Sequence, residues 1–433
     1  MKFLKIGVIA LGLASAACAG ADPEPQGDQL RLVVVLTRHG VRSPLLSNEA
    51  MAAFSAQPWP KWEVAPGLQT PHGNLLIAQM GDYYHARFQK LGLLTGEPDK
   101  DGALVYVRAD NDQRTIETAR ILGKALVDQG ALEVHALDPG QTDPLFRPFQ
   151  AHVGHPDRDL AAAAVLGRVG GDITNVDRAY AAPLAELRSV LFGPGGGAPV
   201  GSPFAQPSSL VTGGGHYLVD AHGPLVASLE ATDALLLEYV DGMPASDVGW
   251  GRVDAKVMTD LLGLHELFFD LAERSFYPAQ VGGSNLASHL IDTLEQAALE
   301  LPVPGAIGPV EDRVVLVVGH DSNIANIGGL LGLDWCIPGT AMNPTLPGGA
   351  LVFELWKRTA GEEHTYFVRA SYVSQTLEQM REGTALSLEN PPARAPIFIP
   401  GASGPGPFFD APLNALLRQA RKVINPDFIA AEP

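Results

Sequence analysis

The apolar run LRLVVVL at 30–36 gives way at once to the charged turn TRHGVRSP, and VVLVVG at 314–319 gives way in the same manner to HDSN. Apolar runs of this length without polar alternation predict strands buried on both faces of a sheet. ALVYV (103–107) predicts another strand, followed by the polar RADNDQ and a helical pattern in RTIETARILGKALVDQG. Ile116, Ala119, Leu122 and Leu126 share one face of that helix, with Asn111 or Asp112 placed to cap it. LEVHAL (132–137) completes a strand–helix–strand order, which argues for an α/β sheet.

Between about 156 and 304 the period changes. Helical patterns cover 157–168, 174–192, 222–241, 253–274 and 284–301, interrupted by a Gly/Pro/Ser-rich stretch at 192–215 without a packing pattern. Strands return at 313–319, 350–356 and 365–373, and a helix begins near Ser322 with Ile324, Ile327 and Leu331 on its apolar face. The expected fold is α/β, a mixed central sheet flanked by helices and built from 27–155 and 305–433. A mostly helical domain is inserted at 156–304.

Composition narrows the setting. With 433 residues, 46% of them apolar, the chain can bury a large core and accommodate the insertion. A net charge of −18 gives it no generic attraction to nucleic acid or anionic lipid, so any anion site must be local. At the N-terminus, Lys2 and Lys5 precede an apolar stretch at 6–14, with small-residue cleavage sites at Ala14-Ser15-Ala16 or Ala17-Cys18-Ala19. The stretch is too short to span a bilayer. Residues 1–19 therefore read as a signal peptide, whose loss takes the charge from −18 to −20 by removing two lysines. Lipidation of Cys18 is an alternative, although Ser15 stands where a leucine is expected three residues before such a cysteine. Without the leader only Cys336 remains, so no intrachain disulfide can form, and no Asn-x-Ser/Thr sequon with x other than Pro occurs. An exported protein of this kind is expected in a bacterial periplasm.

The two charged turns carry the candidate chemistry. Arg38, His39 and Arg42 surround Gly40 in the first, and His320 and Asp321 form the second. Strand ends of this type converge on the crevice where α/β proteins bind ligands, and a helix N-terminus there favours an anion. Crowding like-charged groups is unfavourable unless an anion sits among them. Arginine forks match phosphate oxygens, a histidine among them can attack phosphorus, and a carboxylic acid opposite can protonate the departing alcohol. Arg114, in the turn after ALVYV, is a third candidate clamp.

At these residues the chain resembles a known family. RHGVRSP (38–44) matches the Arg-His-Gly-x-Arg-x-Pro motif of the histidine acid phosphatases, and GHDSNIANIGG (319–329) resembles their distal His-Asp motif. PWPKWEVAPGLQTPHGNLLIAQMGDYY (58–84), VGWGRV (248–253), PGGALVFELW (347–356) and QTLEQMR (375–381) are similar to the bacterial periplasmic phytase and glucose-1-phosphatase branch. The resemblance implies that His39 is a nucleophile forming a phosphohistidine, that Arg38, Arg42, Arg114 and His320 bind the phosphoryl group, and that Asp321 donates the proton. It implies no metal or other cofactor and a small-molecule phosphate monoester as substrate, with phytate and sugar phosphates as candidates. The protein is expected to be a monomer, without nucleic-acid partners and without stable membrane association unless Cys18 is lipidated. A phosphohistidine-dependent phosphotransferase and a non-catalytic binder of phosphorylated ligands remain open at this point.

One departure bears on substrate choice. Phytases of this branch commonly continue the first motif with Thr-Lys, whose lysine meets an outer substrate phosphate, whereas Leu45-Leu46 stand here. His72, His216, His222 and His265 are expected at the surface or in satisfied core positions. Asp233 is read either near the substrate or on a plain helix surface, and Cys336 as a small buried apolar residue.

Overall fold

The computed structural model describes residues 27–128, 130, 132–211 and 217–430; the leader at 1–19, with Cys18, and also His216 lie outside the described residues. In chain order the strands are β1 (Asp28–Arg38), β2 (Val105–Ala109), β3 (Val134–His135), β4 (Ser209–Val211), β5 (Asp220–His222), β6 (Val314–Gly319), β7 (Ala350–Ala360), β8 (Glu363–Ser374), β9 (Ala393–Ile397) and β10 (Ala411–Pro412). The helices are α1 (Asn48–Met51), α2 (Pro71–Lys90), α3 (Pro98–Gly102), α4 (Gln113–Leu126), α5 (Arg158–Arg168), α6 (Thr174–Ala179), α7 (Ala181–Phe192), α8 (Pro224–Val240), α9 (Ala255–Ala272), α10 (Phe276–Leu299), α11 (Asp321–Leu331), α12 (Leu377–Glu382) and α13 (Leu413–Val423).

Eight strands form one mixed sheet in the order β10-β8-β7-β1-β6-β2-β3, with β9 also on β8. β1, β6, β2 and β3 run parallel, and β7 joins β1 antiparallel. Along β1, Leu32, Val34 and Leu36 enter one apolar cluster while Leu30, Val33 and Val35 enter another. That explains the near-unbroken apolar run: both faces are covered. α2 and α4 cover one face through Ile77, Met80, Phe88, Leu122 and Leu126. α8 to α11 and α13 contribute to the cluster on the other face. Each Val or Leu so buried contributes roughly 1.5–3 kcal/mol relative to exposure.

Register positions the chemistry. Arg38 is paired with Gly319, and Ala109 with Val318, so β1, β6 and β2 end level with one another. Two further bonds extend the alignment past the strands: the N–H of His39 donates to the Gly319 carbonyl and that of Asp110 to the Val318 carbonyl, both at 3.0 Å. Three adjacent strand ends thus deliver His39, His320 and Asp110 side by side.

Several elements differ from the pattern reading. The helix expected over 174–192 breaks at Tyr180, because Pro183 has no N–H for a continuous ladder. The last insertion helix starts at Phe276 rather than 284. Pro278 is tolerated in its first turn, and Gly282 lies where α10 crosses α11; a Cβ there would come 2.2 Å from Asn326 Oδ1. The strand expected over 132–137 shrinks to Val134–His135 on the edge of the sheet. Within 192–215, Phe204 is buried and β4 pairs with β5. Cys336 is exposed, which corrects its expected burial. Asp112 occupies the N-cap of α4 without a side-chain capping bond, and Asn111 instead donates to the carbonyls of Asp138 and Gln141.

Candidate active site

The crevice beyond these strand ends is lined by His39, Arg42, Arg114, His320 and Asp321, with Arg38 fully buried at its base. Local packing fixes the first turn. A Cβ on Gly40 would lie 2.7 Å from Ile77 Cγ1, so only glycine lets the turn approach α2. The Gly40 N–H donates to Thr118 Oγ1 at 2.8 Å, whose hydroxyl donates to Gln69 Oε1 at 2.6 Å.

His39 Nδ1 lies 2.9 Å from the Gly40 carbonyl. A carbonyl only accepts, so Nδ1 carries the hydrogen and Nε2 keeps its lone pair. Burial, followed by Arg114, Arg38 and Arg42, holds the imidazole well below the usual histidine range. Both effects favour the unprotonated ring, whose free Nε2 is the nucleophile's lone pair. His320 stands edge-on to it, with ring centroids 5.6 Å apart, and its Nε2 lies 2.6 Å from Asp110 Oδ2.

The arginines are held by carboxylates. Arg38 donates to Asp233 Oδ1 at 3.2 Å and to the Thr345 carbonyl at 2.7 Å, and forms an ion pair with Asp321 Oδ2 at 3.0 Å. Arg42 donates to Asp233 Oδ2 at 3.1 Å, and Arg114 pairs with Asp112 at 2.6 Å. The Nε–H groups of Arg38, Arg42 and Arg114 are buried without an acceptor. Spare donor capacity gathered around one histidine is what a tetrahedral anion satisfies.

The deciding finding is a match to the sequence profile of the histidine phosphatase superfamily (branch 2) over residues 29–180 and 226–373. The chain belongs to that superfamily. This histidine phosphatase is 34% identical over 399 residues to phytase AppA of Escherichia coli (strain K12), with 89% of each chain covered. It is 26% identical over 410 residues to the glucose-1-phosphatase of Providencia rettgeri, covering 90% of this chain and 92% of that one. Among solved structures, Hafnia alvei phytase in complex with tartrate matches it with a TM-score of 0.85 at 35% identity, covering 94% of this chain and 100% of that one.

Tertiary structure adds residues that the histidine phosphatase's motifs do not contain. Asp233 is no helix-surface residue; α8 aims it into the crevice, where it bridges Arg38 and Arg42. Burial pushes its carboxyl up, but Arg42, His265 and Arg38 outweigh that and leave it below the usual range. His265 is likewise in the site: its Nδ1 lies 3.0 Å from Glu266 and its Nε2 3.6 Å from Asp233. Burial works to lower its pKa, but Glu266 and Asp233 raise it to about 9. His72 bonds the Met380 carbonyl and His222 is exposed, so neither joins the site. Of the two leucines, Leu45 is 51% exposed and lines the cleft, whereas Leu46 packs against the core.

Arg147 is the other addition. Its Nε donates to Asp110 at 2.7 Å, and its Nη2 pairs with Asp112 and lies 3.3 Å from His320 Nε2. Among the described residues, Asp110, Asp112 and His320 form one cluster with metal-ligating potential, its ligand atoms within 4.8 Å of one another. The guanidinium bonds both carboxylates, and His320 Nε2, which gives its hydrogen to Asp110, lies beside it. No sequence signal marks Arg147, which lies in an irregular turn more than 30 residues beyond Arg114.

Proposed function

We propose that the protein is an exported acid phosphomonoesterase that works through a phosphohistidine on His39. The observation that carries this reading is the level ending of β1 and β6, which sets His39 beside His320 within a ring of arginines and opposite Asp321. His39 Nε2 attacks phosphorus and the bond to the ester oxygen breaks. That oxygen leaves with the electron pair and takes a proton from Asp321. Water then attacks the phosphohistidine, giving its proton to the Asp321 carboxylate and releasing phosphate and free His39. Arg38, Arg42 and Arg114 neutralise the equatorial oxygens, which is most of what phosphoryl transfer requires.

The charges around Asp321 also explain how it is loaded. Burial raises its carboxyl, but Arg38, supported by Arg42 and His320, brings it below the usual value. A bound phosphoryl group draws on the same arginines and adds negative charge beside Asp321. Both changes favour the protonated acid that the first step consumes. The substrate is a small-molecule phosphate monoester, and the enzyme works as a monomer in the periplasm after loss of 1–19, or tethered there through Cys18.

Rapid quenching with a ³²P-labelled phosphomonoester tests the central step. Acid-labile label should appear on His39, and His39→Ala should lose both label and turnover. Label on a serine or aspartate would overturn the assignment.

A further inference from the structure

Behind the first turn, a circuit of polar contacts joins Arg38 to four residues outside its motif. Arg38 Nη2 donates to Asp233 Oδ1 at 3.2 Å, and its Nη1 donates to the Thr345 carbonyl at 2.7 Å. The N–H of Thr345 donates to Glu266 Oε1 at 3.2 Å, and His265 Nδ1 lies 3.0 Å from the same oxygen. His265 Nε2, 3.6 Å from Asp233 Oδ1, closes the loop. α8 supplies Asp233, α9 supplies His265 and Glu266, and the segment leading into β7 supplies Thr345. Arg38, Thr345, His265 and Glu266 are buried, while Asp233 and His265 line the crevice.

The charge on His265 follows from its neighbours. Both ring nitrogens face carboxylate oxygens, and a carboxylate only accepts, so a neutral ring would set a bare lone pair against one of them. The ring is therefore an imidazolium. Burial alone would lower its pKa, but Glu266, ahead of Asp233, raises it to about 9. Glu230 of α8 also acts on His265, while Arg38, Arg274 and Tyr372 of β8 act on Glu266. Burying such a pair costs desolvation that an apolar pair of similar volume avoids, so the pair adds little stability.

We infer that Glu266 is a positioning residue for phosphoryl transfer: it holds the His265 imidazolium and the Thr345 backbone, and through them the guanidinium of Arg38. This role rests on the phosphomonoesterase reading above and adds a residue that lies behind the crevice wall. Asp233 Oδ1 is shared by Arg38 and His265, whereas its Oδ2 serves Arg42. With His265 neutral, Asp233 keeps only the two arginines, and its carboxylate plane is free to follow either. With the charge on Glu266 removed, the Thr345 carbonyl that orients the other Nη of Arg38 is tethered more weakly. Arg38 is fully buried, so water cannot replace either contact. A guanidinium turned out of place misses the equatorial oxygens it neutralises, and misplacement of such groups lowers the rate steeply.

Nitrogen-15 NMR of the histidine-labelled protein tests the first link without any substitution. The ring in contact with Phe269, 5.2 Å away between centroids, should carry hydrogens on both nitrogens from pH 5 to 8. In Glu266→Gln, which keeps the size and one acceptor, that ring should titrate inside the same range. The second link is kinetic. Glu266→Gln should lower kcat/KM for p-nitrophenyl phosphate about tenfold and weaken inhibition by inorganic phosphate by a similar factor, as loss of one charge-assisted hydrogen bond would. Glu266→Asp keeps the charge but not the length, and should recover part of both losses. A wild-type ring that is neutral at pH 7 would overturn the role. So would Glu266→Gln within twofold of the wild type, or Glu266→Gln more active than Glu266→Asp, the order expected if only side-chain shape matters. A wild type that leaves p-nitrophenyl phosphate intact would instead sink the phosphomonoesterase reading.

Discussion

Replacing Arg147 by methionine removes the cation at the centre of Asp110, Asp112 and His320 while keeping most of the side-chain volume. The structure sets the size of the effect. Asp110 is fully buried and loses one charge-assisted bond of 2.7 Å, but it keeps His320 Nε2 at 2.6 Å and the N–H of Asn111 at 2.8 Å. Arg147 is itself one-third exposed, so water screens part of the loss. Between an ordinary charged hydrogen bond and a broken buried ion pair, the expected cost is about 1.5–3 kcal/mol. Transmitted in full to the transition state, that sets an upper limit of roughly 10- to 150-fold on the loss in kcat/KM. Because Arg147 acts through His320 at the phosphoryl end of the cleft, the loss should be similar for every ester.

The same substitution has a second readout. Two carboxylates and an imidazole suit a divalent transition metal such as Zn²⁺, and in the wild type the guanidinium occupies their common centre. Calorimetric titration should detect stoichiometric Zn²⁺ binding to Arg147→Met, with inhibition, and none at this site in the wild type. Lysine at 147 should restore part of the activity and block the metal. If Arg147→Met keeps kcat/KM within threefold of the wild type and binds Zn²⁺ no better, Arg147 does not position this group.

Two further outcomes follow from the buried carboxyls. Asp321→Asn should slow alkyl phosphates by about 10²–10⁴ but p-nitrophenyl phosphate far less, since that leaving group departs with little protonation; equal losses in stopped assays would assign Asp321 to positioning. Glu238 is buried in α8, its Oε2 accepting only the Gly249 N–H, and burial raises its pKa from 4.5 to about 8. Being raised in the fold, it leaves stability intact below about pH 4.5 and lowers it as pH climbs from there to 8, by about 3 kcal/mol at pH 7. Glu238→Gln mimics the neutral acid, so urea titrations should show it more stable than the wild type at pH 8 and close to it at pH 5. A gap independent of pH would contradict that linkage.

β1 and β6 were legible because burial on both faces leaves no polar alternation, and the residues at and just after the ends of these strands, Arg38, His39, Arg42, His320 and Asp321, come with them in the motif. The α/β class and the helical character of 156–304 were readable for a similar reason: local period reports which faces are covered. α13 carries a signal too, with Leu413, Leu416, Leu417 and Ala420 buried on one face. What the sequence could not reveal is convergence. Asp233 and His265 lie on two separate helices and Arg147 in a turn, and no local pattern separates a carboxylate aimed at Arg38 from one facing water. Strand register brings Asp110 beside His320, and the packing of α8 and α9 over the sheet aims Asp233 and His265 into the crevice. Those are contacts between segments far apart in the chain, so the electrostatic setting of the nucleophile and the lining of the crevice were decided by tertiary structure alone.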